Sequence, residues 1–219
     1  MKRWTWMTLG VFVALLALPN ISDGAVRQQS IVTGPRLVPI TAAGVKLAAA
    51  YPGLLTDVVI VGLDNPKSNA FGYVQAAPAG SSLNSIIFIN LKAIEAQMLH
   101  DGLDPNEPGP VQTWVGAVIF HEAQHLLMDT SSKCDKACEH VHVYFAEYTE
   151  TCKWISGSHE LSSWAVKEAV CSNLDFIDQH VWNGVLAAEV QGCINHPSLA
   201  CLTMPAIPGL VSLACPDCF

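Results

Sequence analysis

His121, Glu122 and His125 stand in the pattern His-Glu-Ala-Gln-His, in which two histidines are four residues apart. On an α-helix, residues i and i+4 project from the same face one turn apart, so both imidazoles can reach one ion. Histidines at this spacing are typical zinc ligands, and a glutamate directly after the first can reach a water molecule on the metal. The pattern predicts a Zn²⁺ site with His121 and His125 as ligands and Glu122 as general base.

The residues within and around this pattern are uncharged or apolar. Val118 stands three positions before the first histidine, Ala123 and Gln124 lie inside the pattern, and Leu127 follows it by two positions. In these features the segment resembles the zincin metallopeptidases, and the resemblance extends firmly over residues 118–150. It implies a zincin-like fold, a bound Zn²⁺ and hydrolysis of peptide bonds in a peptide or protein substrate.

A catalytic zinc commonly has three protein ligands, so a third residue must be identified. The metzincin branch would place a histidine six residues after His125, where this chain has Ser131, and the Gly-Thr…Tyr-Gly loop of the aspzincin branch is missing. The gluzincin branch has a glutamate about twenty residues further on, on the next helix. The resemblance therefore implies Glu147 as the third ligand, with His142 and Glu150 as competing candidates.

Other roles in such a site are less sharply indicated. Gluzincins often carry an Asp that orients a zinc histidine, but Thr151 stands four positions after Glu147. In zincins an edge strand before the active-site helix binds extended substrate, and Ser85–Asn90 holds the corresponding place in the chain order. Several residues are candidates for the donor that stabilises the oxyanion, and no spacing selects one of them: His140, Tyr144, His159 and His180.

A function of another class stays open at this point. The alternative is a secreted binding or structural module in which the His-Glu-x-x-His pattern is accidental or belongs to a closed metal site. A closed site would take a fourth protein ligand, such as His142 or His140, and would leave no position for water. Measurements of metal content and of solvent access to the metal would distinguish a peptidase from such a module.

The helix that carries the pattern is predicted over Val111–Met128, where breakers are absent and apolar residues recur at helical spacing. Before it, a strand is predicted from Asn84 to Asn90, then a short helix over Leu91–Leu99 and a loop over Asp101–Pro110. These elements would place the histidine pair on a largely buried helix.

The flanking regions differ in character. Val26–Ser82 contains many Gly and Pro residues around short β-branched runs, of which Val58–Val61 is the clearest, and is predicted to hold strands and loops. Further helices are predicted over Cys134–Ile155 and from Ser158 to His180. This order predicts an α+β fold with an N-terminal sheet and a helical, disulfide-braced C-terminal half.

The first residues have the features of a secretory signal peptide. Met1-Lys2-Arg3 precedes an apolar stretch whose core, Met7–Leu18, is about twelve residues long, shorter than the roughly 20 that a membrane-spanning helix needs. We therefore predict a signal peptide at residues 1–24 and a single domain at 25–219. The mature protein would be secreted or periplasmic, without stable membrane insertion.

All eight cysteines lie after this segment, in the C-terminal half, at positions 134, 138, 152, 171, 193, 201, 215 and 218. An even number of cysteines in an exported chain predicts structural disulfides. Cys215 and Cys218 form a CxxC pair, for which a redox role is the alternative. The net charge of −8 argues against nucleic acid as a partner, because binding it needs clustered Lys and Arg.

Overall fold

A three-stranded mixed sheet and five α-helices form the part of the chain that this computed structural model describes, namely residues 37–65, 67–77, 79, 84–127, 136–156 and 159–181. This part confirms the predicted α+β class. The predicted signal peptide lies outside these ranges. None of the helices within them is both long enough and apolar enough to cross a membrane.

Helix α1, Leu37–Ala50, lies in the region predicted to hold only strands and loops, so that prediction is wrong for this segment. Pro39 stands in the first turn, where the missing N–H breaks no helical hydrogen bond. Gly44 stands where α1 comes close to Ile60, since a Cβ there would lie 3.3 Å from the Ile60 Cδ1 atom. Both residues are thus compatible with a helix whose inner face, including Ile40, is buried.

The sheet consists of β1 (Val58–Leu63), β2 (Gly72–Ala76) and β3 (Ser85–Asn90) in the order β1-β3-β2. Strand β3 runs parallel to β1 and antiparallel to β2. The predicted strands at Val58–Val61 and Asn84–Asn90 are confirmed. The edge position predicted for β3 is wrong: β3 is the central strand, with Ile87 and Ile89 fully buried and Ile86 and Phe88 half-buried. The antiparallel edge strand is β2.

The loop between β1 and β2 is organised by the buried side chain of Asn90. Its Nδ2 has two N–H donors, which are shared among three carbonyl oxygens, those of Asn65 at 3.1 Å, Ser68 at 3.0 Å and Ala70 at 3.1 Å. Its backbone N–H donates to the carbonyl of Phe71 at 2.7 Å. One residue at the end of β3 therefore fixes the loop that leads into β2.

Three further helices confirm the predicted elements with small shifts at their ends: α2 (Leu91–His100), α3 (Pro108–Leu127) and α4 (Lys136–Ser156). Helix α3 begins before the predicted start at Val111, at Pro108. Proline is favoured at the first helical position because the N–H that it lacks would have no partner inside the helix. The predicted loop before α3 is correspondingly shorter.

The predicted continuous helix from Ser158 to His180 is wrong, because the structure divides this region. A short 3₁₀ turn covers Glu160–Ser163, and helix α5 covers Lys167–Val181. Between them, the N–H of Val166 donates to the Thr113 Oγ1 atom at 3.0 Å. The backbone of this connection thus bonds to α3 instead of continuing a helix.

Helix α3 lies in the middle of the packing and contacts β2, β3 and the helices α1, α2, α4 and α5. Trp114 and Trp154 are fully buried, as expected for core residues, whereas Trp182 lies outside the described residues. A Cβ on Gly116 would come within 2.8 Å of the Trp164 ring. This glycine therefore lets an indole pack directly on the backbone of α3.

Two cysteines, Cys152 and Cys171, have described side chains; both are buried and neither is a free thiol. The remaining six, including Cys215 and Cys218, lie outside the residues whose side chains are described. Pairing of all eight cysteines stays a prediction.

Candidate metal centre

His121 and His125 lie one turn apart near the end of α3, as their spacing predicts. Their ring centroids are 5.1 Å apart, and His121 is buried while His125 is partly exposed. The residues before them on α3 are almost all buried, which anchors this end of the helix against the rest of the protein. The pair is therefore held on a fixed support at the edge of the core.

A third imidazole, from His140 on α4, joins this pair. One donor nitrogen from each of His121, His125 and His140 lies within 4.8 Å of the other two. The His140 ring lies 4.8 Å from that of His125, between centroids. Three imidazole nitrogens this close together form a donor set that suits Zn²⁺. The sequence indicated His140 as an oxyanion donor or a fourth ligand, not as a member of a set of three.

Glu147 lies on α4 behind His121 and outside this group of three nitrogens. Its Oε2 is 2.8 Å from Nδ1 of His121, and its Oε1 accepts a hydrogen bond from Nδ2 of Asn173 at 2.9 Å. The residue is 2% exposed. Both carboxylate oxygens are thus engaged by protein groups, and a direct bond from Glu147 to a metal stays a prediction.

The contact with Glu147 determines the state of the His121 ring. Burial by itself would lower the pKa of His121, but the hydrogen bond and negative charge of Glu147, together with Glu122, outweigh it and raise that pKa. In the neutral ring, donation of Nδ1–H to the carboxylate leaves on Nε2 the lone pair that a metal needs, whereas the protonated ring must first release its Nε2 proton. A carboxylate behind a histidine is a common way to orient a metal ligand.

Glu122 lines the same cavity as His121 and His140 and is 6% exposed. Burial raises the pKa of its carboxyl to about 7; the positive charge of His121 opposes this rise and the negative charge of Glu147 adds to it. A carboxyl whose pKa is close to neutral can both accept and release a proton near neutral pH. Glu122 could therefore exchange a proton with a group bound in the cavity near neutral pH.

His121, His140 and Glu122 line a cavity of about 90 Å³. Its wall also includes Tyr144, whose ring lies 4.5 Å from that of His121. Burial, with the nearby charges of Glu147 and Glu122, raises the pKa of Tyr144 to about 12, so its hydroxyl keeps its proton at neutral pH. The lining residues are Phe71, Gly72, Val118, His121, Glu122, His140, Tyr144, Glu147, Asn173 and Phe176.

Other candidate residues lie elsewhere. His159 stacks on Tyr51, with 5.1 Å between ring centroids, and its Nε2 lies 3.7 Å from Glu150. Glu150 in turn accepts a hydrogen bond from the Tyr51 hydroxyl at 2.9 Å. His180 stacks on Phe176 and does not line the cavity.

His142, like Glu150, is not in the group of three nitrogens. Burial lowers the pKa of His142. Asn173 was not singled out by the sequence, because a lone amide on a helix carries no spacing signal. Ser131 lies outside the described residues.

Comparison with known proteins assigns no family to the chain. It matches no protein-family model, and neither a curated protein nor a solved structure matches it. Conclusions about function therefore rest on the residues of this centre and on their geometry.

Proposed function

We propose that the protein is a secreted zinc-dependent peptidase in which His121, His125 and His140 bind the metal and Glu122 is the general base. The convergence of three imidazole nitrogens within 4.8 Å, next to a buried glutamate, is the observation that carries the proposal. Three protein ligands leave one position of tetrahedral zinc for water or substrate, as catalytic sites require. The export part rests on the predicted signal peptide at residues 1–24.

The proposed ligand set differs from the one that the resemblance implies, in which Glu147 binds the ion. His140 supplies the third nitrogen instead, and Glu147 orients His121 through the 2.8 Å contact to Nδ1. A carboxylate in this position also makes the imidazole a stronger ligand, because it stabilises positive charge on the ring. Asn173 holds the carboxylate in turn.

In the proposed hydrolysis, each residue around the cavity has a separate role. A bound Zn²⁺ would act as a Lewis acid toward the scissile carbonyl and lower the pKa of a water molecule toward ~7. The Glu122 carboxylate accepts the proton of the attacking water and later delivers it to the leaving amine. Tyr144, which keeps its proton at neutral pH, is the described residue best placed to donate a hydrogen bond to the developing oxyanion.

The edge strand β2 offers a place for an extended substrate. The backbone hydrogen bond from Asn90 N to Phe71 O sets the pattern between β2 and β3: odd-numbered residues of β2 form hydrogen bonds to β3. The backbone N–H and C=O groups of Gly72 and Val74 therefore point to the opposite edge of β2. No strand among the described residues pairs with that edge. A peptide that adds there would pass next to Glu122, which touches Gly72. This edge replaces Ser85–Asn90 in the proposal.

The test combines metal analysis with hydrolysis of a peptide library by the purified mature protein. We expect about one Zn²⁺ per chain and cleavage that Glu122→Gln abolishes while the zinc stays bound. Absence of bound zinc after purification with added zinc would refute the metal centre. Zinc without cleavage of any peptide, with the metal inaccessible to solvent, would instead support the closed structural site of a binding module.

A further inference from the structure

We propose that Gly72 is a positioning residue for Glu122: the edge strand carries no side chain at this point, and the carboxyl of Glu122 occupies the space. This role depends on the proposed function of Glu122 as general base. Gly72 is the first residue of β2 and lines the same cavity as Glu122. It therefore belongs to the wall of the centre although it carries no functional group.

The distances show how little room exists between the strand and the base. A Cβ on Gly72 would lie 2.8 Å from Oε1 and 2.9 Å from Cγ of Glu122, and 2.9 Å from the carbonyl oxygen of Phe88. These separations are shorter than van der Waals contact, so a methyl group cannot be added without displacing an atom. The backbone of Gly72 is not in the positive-φ region. Glycine is required here for space and not for conformation.

The register of the sheet explains why this space faces the base. Gly72 pairs with Ile89, and paired residues of neighbouring strands direct their side chains to the same face. Ile89 is fully buried, and both β2 and β3 contact α3. The side chain that Gly72 lacks would therefore point to the buried face of the sheet, and the 2.8 Å separation from Oε1 shows that Glu122 of α3 lies on that face.

The strand cannot easily move away to make room. Immediately before Gly72, the carbonyl of Phe71 accepts the backbone N–H of Asn90 at 2.7 Å, and the Asn90 side chain holds the preceding loop. Of the three contacts that a methyl group would make, the two with Glu122 involve a side chain that can rotate. The third contact, with the backbone carbonyl of Phe88, is the same whatever Glu122 does. Rotation of Glu122 relieves the other two and displaces the base, and a small displacement of a catalytic group lowers the rate strongly.

A stability cycle on the zinc-loaded protein tests the contact without using activity. We expect Gly72→Ala to lower the melting temperature about twice as much in the wild-type background as in the Glu122→Ala background, because the second substitution removes both side-chain contacts. Equal losses in the two backgrounds would overturn the proposal. If Gly72→Ala alone does not fold, folding of the double variant supports the proposal and failure of both overturns it.

Gly62 provides a matched control for this cycle. It pairs with Ile89 from the other side, on β1, and a Cβ there would lie 2.7 Å from the Ile40 Cδ1 atom. Gly62→Ala therefore crowds the same face of the sheet without touching Glu122. Its loss of stability should be equal in the two backgrounds, and coupling as large as that of Gly72 would overturn the proposal by showing that the effect is not specific.

A kinetic cycle tests the consequence for catalysis. Gly72→Ala should keep zinc and lower kcat by about 10- to 100-fold with little change in KM, and it should cause no further loss when combined with Glu122→Gln. Unchanged kcat, or loss of zinc, would overturn the positioning role. Normal activity of Glu122→Gln alone would instead refute the proposed function, whereas the stability cycle would still decide whether Gly72 and Glu122 are coupled.

Discussion

Nδ1 of His121 lies 2.8 Å from Oε2 of Glu147, and both side chains are buried. The carboxylate thus occupies one nitrogen of the ring and leaves the other for the cavity. Asn173 holds the second oxygen of the same carboxylate at 2.9 Å. Residues from α3, α4 and α5 together fix the orientation of the His121 imidazole. In the proposed centre, the three histidines would bind the metal, whereas Glu147 and Asn173 would orient one of these ligands.

The first prediction distinguishes these two roles. His140→Ala should abolish stoichiometric zinc binding, whereas Glu147→Gln should keep a complete site and lower zinc affinity by about 10- to 100-fold. Competition with a chelator of known affinity measures both effects, and His142→Ala serves as the control that should change neither. If zinc is retained in His140→Ala and lost from Glu147→Ala, Glu147 is the third ligand, as the zincin resemblance implies.

The second prediction concerns Asn173, which contacts Glu147 and is not itself one of the proposed metal ligands. Asn173→Ala leaves Oε1 of Glu147 without its donor, so we expect zinc affinity to fall, but by less than in Glu147→Gln. Titration of the variant with zinc gives the comparison. A decrease as large as that of Glu147→Gln would show that the amide does more than hold the carboxylate.

The third prediction tests Tyr144 as the oxyanion donor. Tyr144→Phe removes only the hydroxyl, so zinc content and melting temperature should change little while kcat falls by about 10²- to 10³-fold. His159→Ala is the matched comparison, because His159 lies with Tyr51 and Glu150 and away from the cavity. A normal kcat in Tyr144→Phe would exclude this hydroxyl from the reaction.

The fourth prediction addresses the loop that leads into the edge strand. Asn90→Ala removes the donor to three carbonyl oxygens in a buried position and should lower the free energy of unfolding by roughly 2–4 kcal/mol. Asn90→Asp should cost more, because it places a carboxylate oxygen against those carbonyls. Urea unfolding measures both, with Asn84→Ala at an exposed neighbouring position as control. Full stability of Asn90→Asp would contradict the assigned hydrogen bonds.

Local patterns were sufficient to predict much of the fold. The apolar run of β3 and the helical periodicity around His121 depend on neighbours in sequence, and both elements lie where the pattern places them. Helix α1 was missed because Pro39 and Gly44 normally indicate turns, and only the packing against Ile60 shows that a glycine suits that position. The order of the strands depends on long-range pairing and had no counterpart in the sequence pattern.

The same distinction applies to the site. His121, Glu122 and His125 belong to one helix, so their relative positions follow from helical geometry alone. The position of His140 near them depends on how α4 crosses α3, which residue spacing does not determine. Residue spacing alone indicated Glu147, and the structure adds that its carboxylate lies on the Nδ1 side of His121.

The hydrogen-bonded series from His121 through Glu147 to Asn173 has a consequence for synthesis of the chain. Each of its two steps spans 26 residues, so its members leave the ribosome one helix at a time. A nascent chain that ends before α5 already carries all three histidines but lacks the amide that holds Glu147. The orientation of His121 is therefore completed only when the last described helix has been made and has docked, and a truncated chain would carry the ligands without the frame that aligns them.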